Sequence, residues 1–134
     1  MQSLEGEFNL PDCLLMAVGW VETRLVNELG DGGRGHGIFQ LDDRSHKIPR
    51  GFDQNPFLQG ETAAGMLEDL LAHYEKRITP ACAAYNAGEG AVDQALKRGE
   101  DPDQVTTGGD YAAHVVAALG VLHKTHAGLV VAGQ

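Results

Sequence analysis

Basic residues, aromatics and cysteines are all scarce in this chain of 134 residues, and each shortage removes a class of function. Lys and Arg number 10 against 19 Asp and Glu, a formal net charge of −9, and no cluster of five or more basic residues interrupts that field. A phosphate backbone would be repelled, so nucleic acid is excluded as a main partner. Aromatics are 6% of the chain, with one Trp, too few for a base-stacking platform. The two cysteines, Cys13 and Cys82, cannot make a disulfide scaffold and lack CxxC spacing for zinc. They read equally as one bond in an exported chain or as two small buried thiols. No run of about 20 apolar residues occurs, so no segment is expected to span a membrane. The opening MQSLEGEFNLPD carries acids where a secretory leader needs a basic start and an apolar run. No route of export is therefore legible.

Several catalytic signatures are also missing. There is no P-loop ending, no GxSxG and no HExxH. Gly30-x-Gly32-x-x-Gly35 imitates a dinucleotide fingerprint, but a helical pattern precedes it and a β-like run comes after it, the reverse of what that motif needs. His123 and His126 stand three apart without a carboxylate partner and read as solvated surface residues. Neither a cofactor nor a metal is expected.

Hydrophobic residues make up 43%, enough for a real core, and the length suits one domain, residues 1–134. Spacings of three and four among Leu10, Cys13, Leu14, Ala17, Val18, Val21 and Leu25 predict a first helix starting near Leu10, with Pro11 and Asp12 in its first turn. Residues 30–37 hold five glycines in eight positions and predict a loop, followed by a short β-like run, Ile38 to Leu41. Residues 47–56 read as irregular. A long helix is expected over 60–77, a short one over 81–87 ended by Gly88, another over 89–98, and a last one from Asp110 to about Lys124. The fold class is mostly α (α+β), helices around a cleft with a minimal β element.

Three features could carry chemistry. Glu22 lies on the first helix with Val18, Gly19, Leu25 and Val26 as its neighbours one turn away, none able to neutralise it. Desolvation there would raise its pKa and keep it a proton donor, with Gly19 leaving open space beside it. The bland alternative is a flank residue turned to water or paired with Arg24 or a distant Arg. Asp31 and Asp42 bracket the glycine loop and could face Glu22 across a cleft, as glycoside hydrolysis requires of a second carboxylate; otherwise they are solvated turn acids. In Ala84-Tyr85-Asn86-Ala87-Gly88, small residues could present a phenol and an amide to a polar ligand, or simply allow tight helix packing with a glycine cap. His46 falls beside the same prospective cleft.

Together, Glu22, GDGGRGHGIFQLDDRSH (30–46), AYNAG (84–88) and TTGGDYAAHVV (106–116) match in order and spacing, and the chain resembles goose-type lysozymes, glycoside hydrolases related to the soluble lytic transglycosylases. The resemblance covers most of residues 10–125 and implies a lysozyme-like fold. It further implies Glu22 as general acid, Asp31 and Asp42 as the pair holding the attacking water, and Gln40, His46, Tyr85, Asn86 and Tyr111 as lining of the saccharide cleft. Thr23 keeps the hydroxyl that Ser supplies in the family. His36 stands where an apolar residue is usual and is expected to alter a subsite.

The resemblance thus implies an inverting hydrolase acting as a monomer on β-1,4 bonds of peptidoglycan, outside the cell or at its wall. The alternatives are a chitinase, which the net charge of −9 would suit because chitin is neutral, a lytic transglycosylase giving anhydro products, and an inactive saccharide-binding module.

Overall fold

The computed structural model describes the backbone of residues 1–132 and the side chains of residues 1–125. Six α-helices are present among the described residues: α1 (Gln2–Glu7), α2 (Leu14–Thr23), α3 (Pro56–His73), α4 (Ile78–Ala87), α5 (Glu89–Lys97) and α6 (Tyr111–Ala132). Three two-residue strands, β1 (Leu29–Gly30), β2 (Gly35–His36) and β3 (Leu41–Asp42), pair antiparallel in the order β1-β2-β3. The mostly helical class with a minimal sheet agrees with the sequence pattern. No helix among the described residues is long and apolar enough to cross a membrane.

At the centre is α4, where Ala81, Cys82 and Ala83 are fully buried. Such small side chains let α3 and α6 pack close on either side. Val18 and Leu14 of α2, Leu67 of α3, Val92 of α5 and Val115 of α6 complete a single core. Cys13 and Cys82 are both buried and unbonded, and both pack in this core.

The first helix begins at Leu14 rather than Leu10, and the cause is a carboxylate from outside it. Cys13 caps α2 with φ +70° and offers no side-chain cap of its own. Glu5 of α1, a helix the periodicity does not predict, is 2% exposed. Its Oε1 accepts from the Cys13 N–H at 3.0 Å and its Oε2 from Leu15 and Met16 at 2.9 and 3.3 Å. One charge thus satisfies three orphan donors where the helix dipole is positive. At the other end Arg24 and Leu25 both take positive φ, so Leu25 lies beyond the helix rather than on its stripe.

Asp103, 4% exposed, does the same for α6. Its Oδ1 and Oδ2 accept from the Ala112 and Ala113 N–H groups at 2.7 and 2.9 Å. The second long helix starts a turn before its predicted position because Asn55 caps it, accepting from Leu58 N at 3.0 Å with Pro56 next in line. It ends at His73, where Glu75 and Lys76 adopt positive φ. Pro80 falls in the first turn of α4, so that helix begins at Ile78, before it.

The β-like run is also corrected. Only Leu41 continues into a strand; Ile38 to Gln40 form a turn, with Gln40 at φ +52°. Part of the glycine segment is itself β1 and β2, joined by a 3-10 turn over Asp31–Gly33.

Candidate active site

A cleft of about 920 Å³ runs between the helices and the small hairpin. Glu22, Asp31, Gln40, Asp42, His46, Tyr85, Asn86 and Tyr111 all line it, so every site residue expected from sequence comes to one place. Its lining comes from two walls, one of helices and one of the hairpin.

The helical wall carries Glu22, near the end of α2. Burial pushes its pKa up from 4.5 to about 7, against the opposing pull of one hydrogen bond from Tyr111. That bond runs from the Tyr111 hydroxyl to Glu22 Oε2 at 2.7 Å. Tyr111 is the first residue of α6, and the Asp103 cap therefore fixes the phenol that touches Glu22. The alternative partner, Arg24, lies elsewhere, its guanidinium 4.9 Å from the Trp20 ring centroid. Nor does Gly19 leave open space. A Cβ there would meet Leu25 Cδ2 at 2.8 Å and Phe39 Cε1 at 2.9 Å, so the glycine admits the hairpin against α2 rather than a ligand.

The hairpin wall carries the two aspartates. Asp31 sits at φ +52° where β1 turns into the 3-10 segment, a conformation short polar side chains tolerate better than most. Asp42 is on β3. Arg44, which no sequence pattern singles out, joins them. Its Nε and Nη2 donate to Asp42 Oδ1 and Oδ2 at 3.0 and 2.8 Å, and Nη2 also reaches Asp31 Oδ2 at 2.5 Å. The Arg44 backbone N–H adds a bond to Asp42 Oδ1 at 2.9 Å. These Arg44 contacts hold the Asp42 carboxyl below its ordinary pKa.

The remaining lining residues divide by what holds them. Tyr85 donates from its hydroxyl to the Phe39 carbonyl at 2.8 Å, tying α4 to the hairpin turn. Gln40 turns its amide back into the hairpin, donating to the Gly37 and Glu28 carbonyls at 2.8 and 3.1 Å. That fold-back explains two glycines: a Cβ at Gly30 or Gly35 would lie 2.3 or 2.2 Å from Gln40 Oε1. Asn86 Oδ1 accepts from Thr107 N at 2.9 Å, which leaves its Nδ2 as the end not used in that bond. His46 is exposed on the hairpin side. His114 and Asp110 also line the cleft, 3.3 Å apart as an i,i+4 pair on the α6 end; both fall in the 106–116 motif, which gives neither of them a role.

His36 is not among the cleft residues. Its Nδ1 meets Asp53 Oδ1 at 2.7 Å and its Nε2 meets Asp43 Oδ2 at 3.0 Å, so it braces the hairpin to the loop behind it instead of altering a subsite. Thr23 donates its hydroxyl to the Ile38 carbonyl at 2.8 Å and helps dock the same hairpin on α2. His123 meets the Asp12 carbonyl at 2.7 Å, and the His126 side chain lies outside the described residues. No group of three or more metal-ligating side chains occurs among the described residues.

Comparison with known sequences agrees with the motifs. Residues 1–106 match the transglycosylase SLT domain, and the chain belongs to that family. Within its wider kin it is 35% identical over 100 residues to the "Lysozyme g" of Struthio camelus and 34% identical over 100 residues to the "Lysozyme G" of Dromaius novaehollandiae. Each alignment takes 69% of this chain and 47% of the relative, so the chain spans about half the length of the curated relatives it matches.

Proposed function

We propose that the chain is a lysozyme-type glycoside hydrolase that cuts the β-1,4 bonds of peptidoglycan with inversion. The observation that carries this reading is the contrast within one cleft: a carboxyl with its pKa near 7 shares the lining with two carboxylates tied to a guanidinium. Glu22, still protonated near neutrality, gives its proton to the glycosidic oxygen as the bond to the anomeric carbon breaks. Asp42, assisted by Asp31, holds a water on the opposite face and takes its proton as the new bond forms. Tyr111 positions Glu22, Tyr85 and Gln40 keep the hairpin in register, and Asn86 and His46 offer polar contacts to the sugar. The names of the two relatives, both lysozymes, support the hydrolytic reading.

A lytic transglycosylase is the second reading, favoured by the description of the matching family. The aspartate pair argues for hydrolysis, since an intramolecular closure needs no held water. Chitin remains a rival substrate on the net charge of −9. The test is the mass of soluble products from purified peptidoglycan, with Glu22→Gln as the blank. Fragments carrying an added water support the hydrolase; fragments lighter by one water would replace it with the transglycosylase. Release from chitin but not from peptidoglycan would move the substrate, and binding without release would leave a saccharide-binding module.

A further inference from the structure

Arg44 spends its hydrogen bonds in an unusual place for a surface cation in a chain of net charge −9. It stands 52% exposed at the cleft, and its Nε and Nη2 are both committed to Asp42 and Asp31. The lone pairs can be followed one by one. Asp42 Oδ1 accepts twice, from the Arg44 backbone N–H and from Nε, which uses both of its lone pairs. Asp42 Oδ2 and Asp31 Oδ2 each accept once, and both from the same nitrogen, Nη2. Two carboxylate oxygens are thereby held within the span of two hydrogen bonds, each with a lone pair left. That is the reach of one water donating both its hydrogens, which leaves the water oxygen's own lone pairs as nucleophile.

We propose that Arg44 is the positioning residue of this pair: its fork fixes which oxygens of Asp31 and Asp42 receive the attacking water, and so favours water over the sugar's own hydroxyl as nucleophile. This rests on the hydrolytic function proposed above. In the favoured step the water oxygen bonds to the anomeric carbon, one water proton passes to Asp42, and the leaving oxygen keeps the proton from Glu22. In the competing step the sugar's primary hydroxyl bonds to the same carbon and gives its proton to the Glu22 carboxylate. Without the fork, the two carboxylates repel each other and the water loses one of its two acceptors.

The test digests peptidoglycan with the wild-type chain, Arg44→Ala, Asp42→Asn and the double variant, reading kcat, KM and product masses. Arg44→Ala is expected to lower kcat by about 10²-fold, the cost of a misplaced reacting group. KM should stay within about threefold, because the interaction lost is one made with the nucleophile. The share of products lighter by one water should rise, which a merely structural role would not cause. The double variant should be no slower than Asp42→Asn alone, since Arg44 acts through that carboxylate. Wild-type kcat and product masses for Arg44→Ala beside a severe Asp42→Asn would overturn the inference, as would losses that multiply in the double variant. A fully active Asp42→Asn would instead remove the water site itself, and the inference with it. Should Arg44→Ala fail to fold, Arg44→Lys, which keeps the charge and loses the fork, carries the same comparison.

Discussion

On the helical wall of the cleft Glu22 is largely withdrawn from water with a single phenol as partner, whereas on the hairpin wall Asp31 and Asp42 stand 66% and 37% exposed and share one guanidinium. Identical chemistry is driven in opposite directions by these surroundings. Burial penalises the charged form of Glu22 and raises its pKa to about 7, while Arg44 favours the charged form of Asp42 and lowers its pKa. The acid and base proposed for this cleft would need that separation at one pH, and each wall supplies one half of it. The walls are also built differently. The helical wall is fixed by apolar packing and by two buried carboxylates capping its helices, and the hairpin by polar stitching through Gln40, Thr23 and His36.

The sharpest way to break the contrast is to remove the acid. Glu22→Gln should reduce turnover by about 10³-fold or more, the scale of lost general acid catalysis. It should also make the protein more stable at alkaline pH. A carboxyl whose folded pKa lies above its unfolded value favours the fold only while protonated. That contribution is complete below about 4.5 and is lost as the pH rises through about 7. Relative to wild type, the Gln variant should gain up to about 3 kcal/mol above that range and nothing below it. Thermal melts at both ends of the range check this; an equal gap at the two ends would show that Glu22 is not withdrawn from water.

Weakening the wall without removing the acid should move the pH profile. The Tyr111 hydroxyl is the group that pulls the Glu22 pKa down. Tyr111→Phe should therefore shift the alkaline limb of kcat/KM to higher pH, by about half a unit to one unit for one hydrogen bond. A shift to lower pH would mean that the phenol stabilises the protonated carboxyl instead.

How much of this contrast is legible in the sequence differs between the walls. The helices after α1 and most core positions emerge from spacing, which also sets Glu22 among apolar neighbours, because burial of a helix face imposes a period that local sequence displays. The hairpin wall shows less. Its strands are two residues long, too short for any period, and Ile38 to Gln40 has strand composition but forms a turn. That turn is set by contacts far off in the chain, Gln59 Oε1 to Ile38 N at 3.0 Å and Tyr85 to the Phe39 carbonyl. Arg44 is invisible for a related reason. A cation two residues after an acid reads as a solvated pair until the fold brings Asp31 alongside. The true start of α2 is hidden because its cap, Glu5, comes from another helix. The order of motifs, not any single pattern, assembles the site residues in advance of the fold.

The caps give a prediction about stability alone. Glu5→Gln keeps the shape but removes the charge that serves the N–H groups of Cys13, Leu15 and Met16 at the start of α2, and should cost about 2 kcal/mol. Activity per folded molecule at low temperature should be unchanged, because Glu5 lies outside the cleft. Denaturant unfolding with a parallel activity assay checks both halves. A loss of activity without loss of stability would mean that the cap tunes the position of Glu22.

The smallest effect is expected where the hairpin wall meets the loop behind it. His36 sits between Asp43 and Asp53, and its hydrogen bonds to them, Asp43 first, raise its pKa against the opposing effect of burial. The sign is the reverse of that for a depressed carboxylate. A histidine raised above its unfolded value of 6.5 stabilises the fold fully below that pH and ceases to do so as pH rises through the folded pKa. His36→Gln should therefore lower Tm by about 2 °C at pH 5, in keeping with the modest worth of partly exposed ion pairs, and by less at pH 9. Added salt should narrow the pH 5 difference by screening the pairs. A difference that is larger at pH 9 would show that the neutral ring's packing, not its charge, braces the hairpin. The two walls would then owe their rigidity to the same apolar contacts after all.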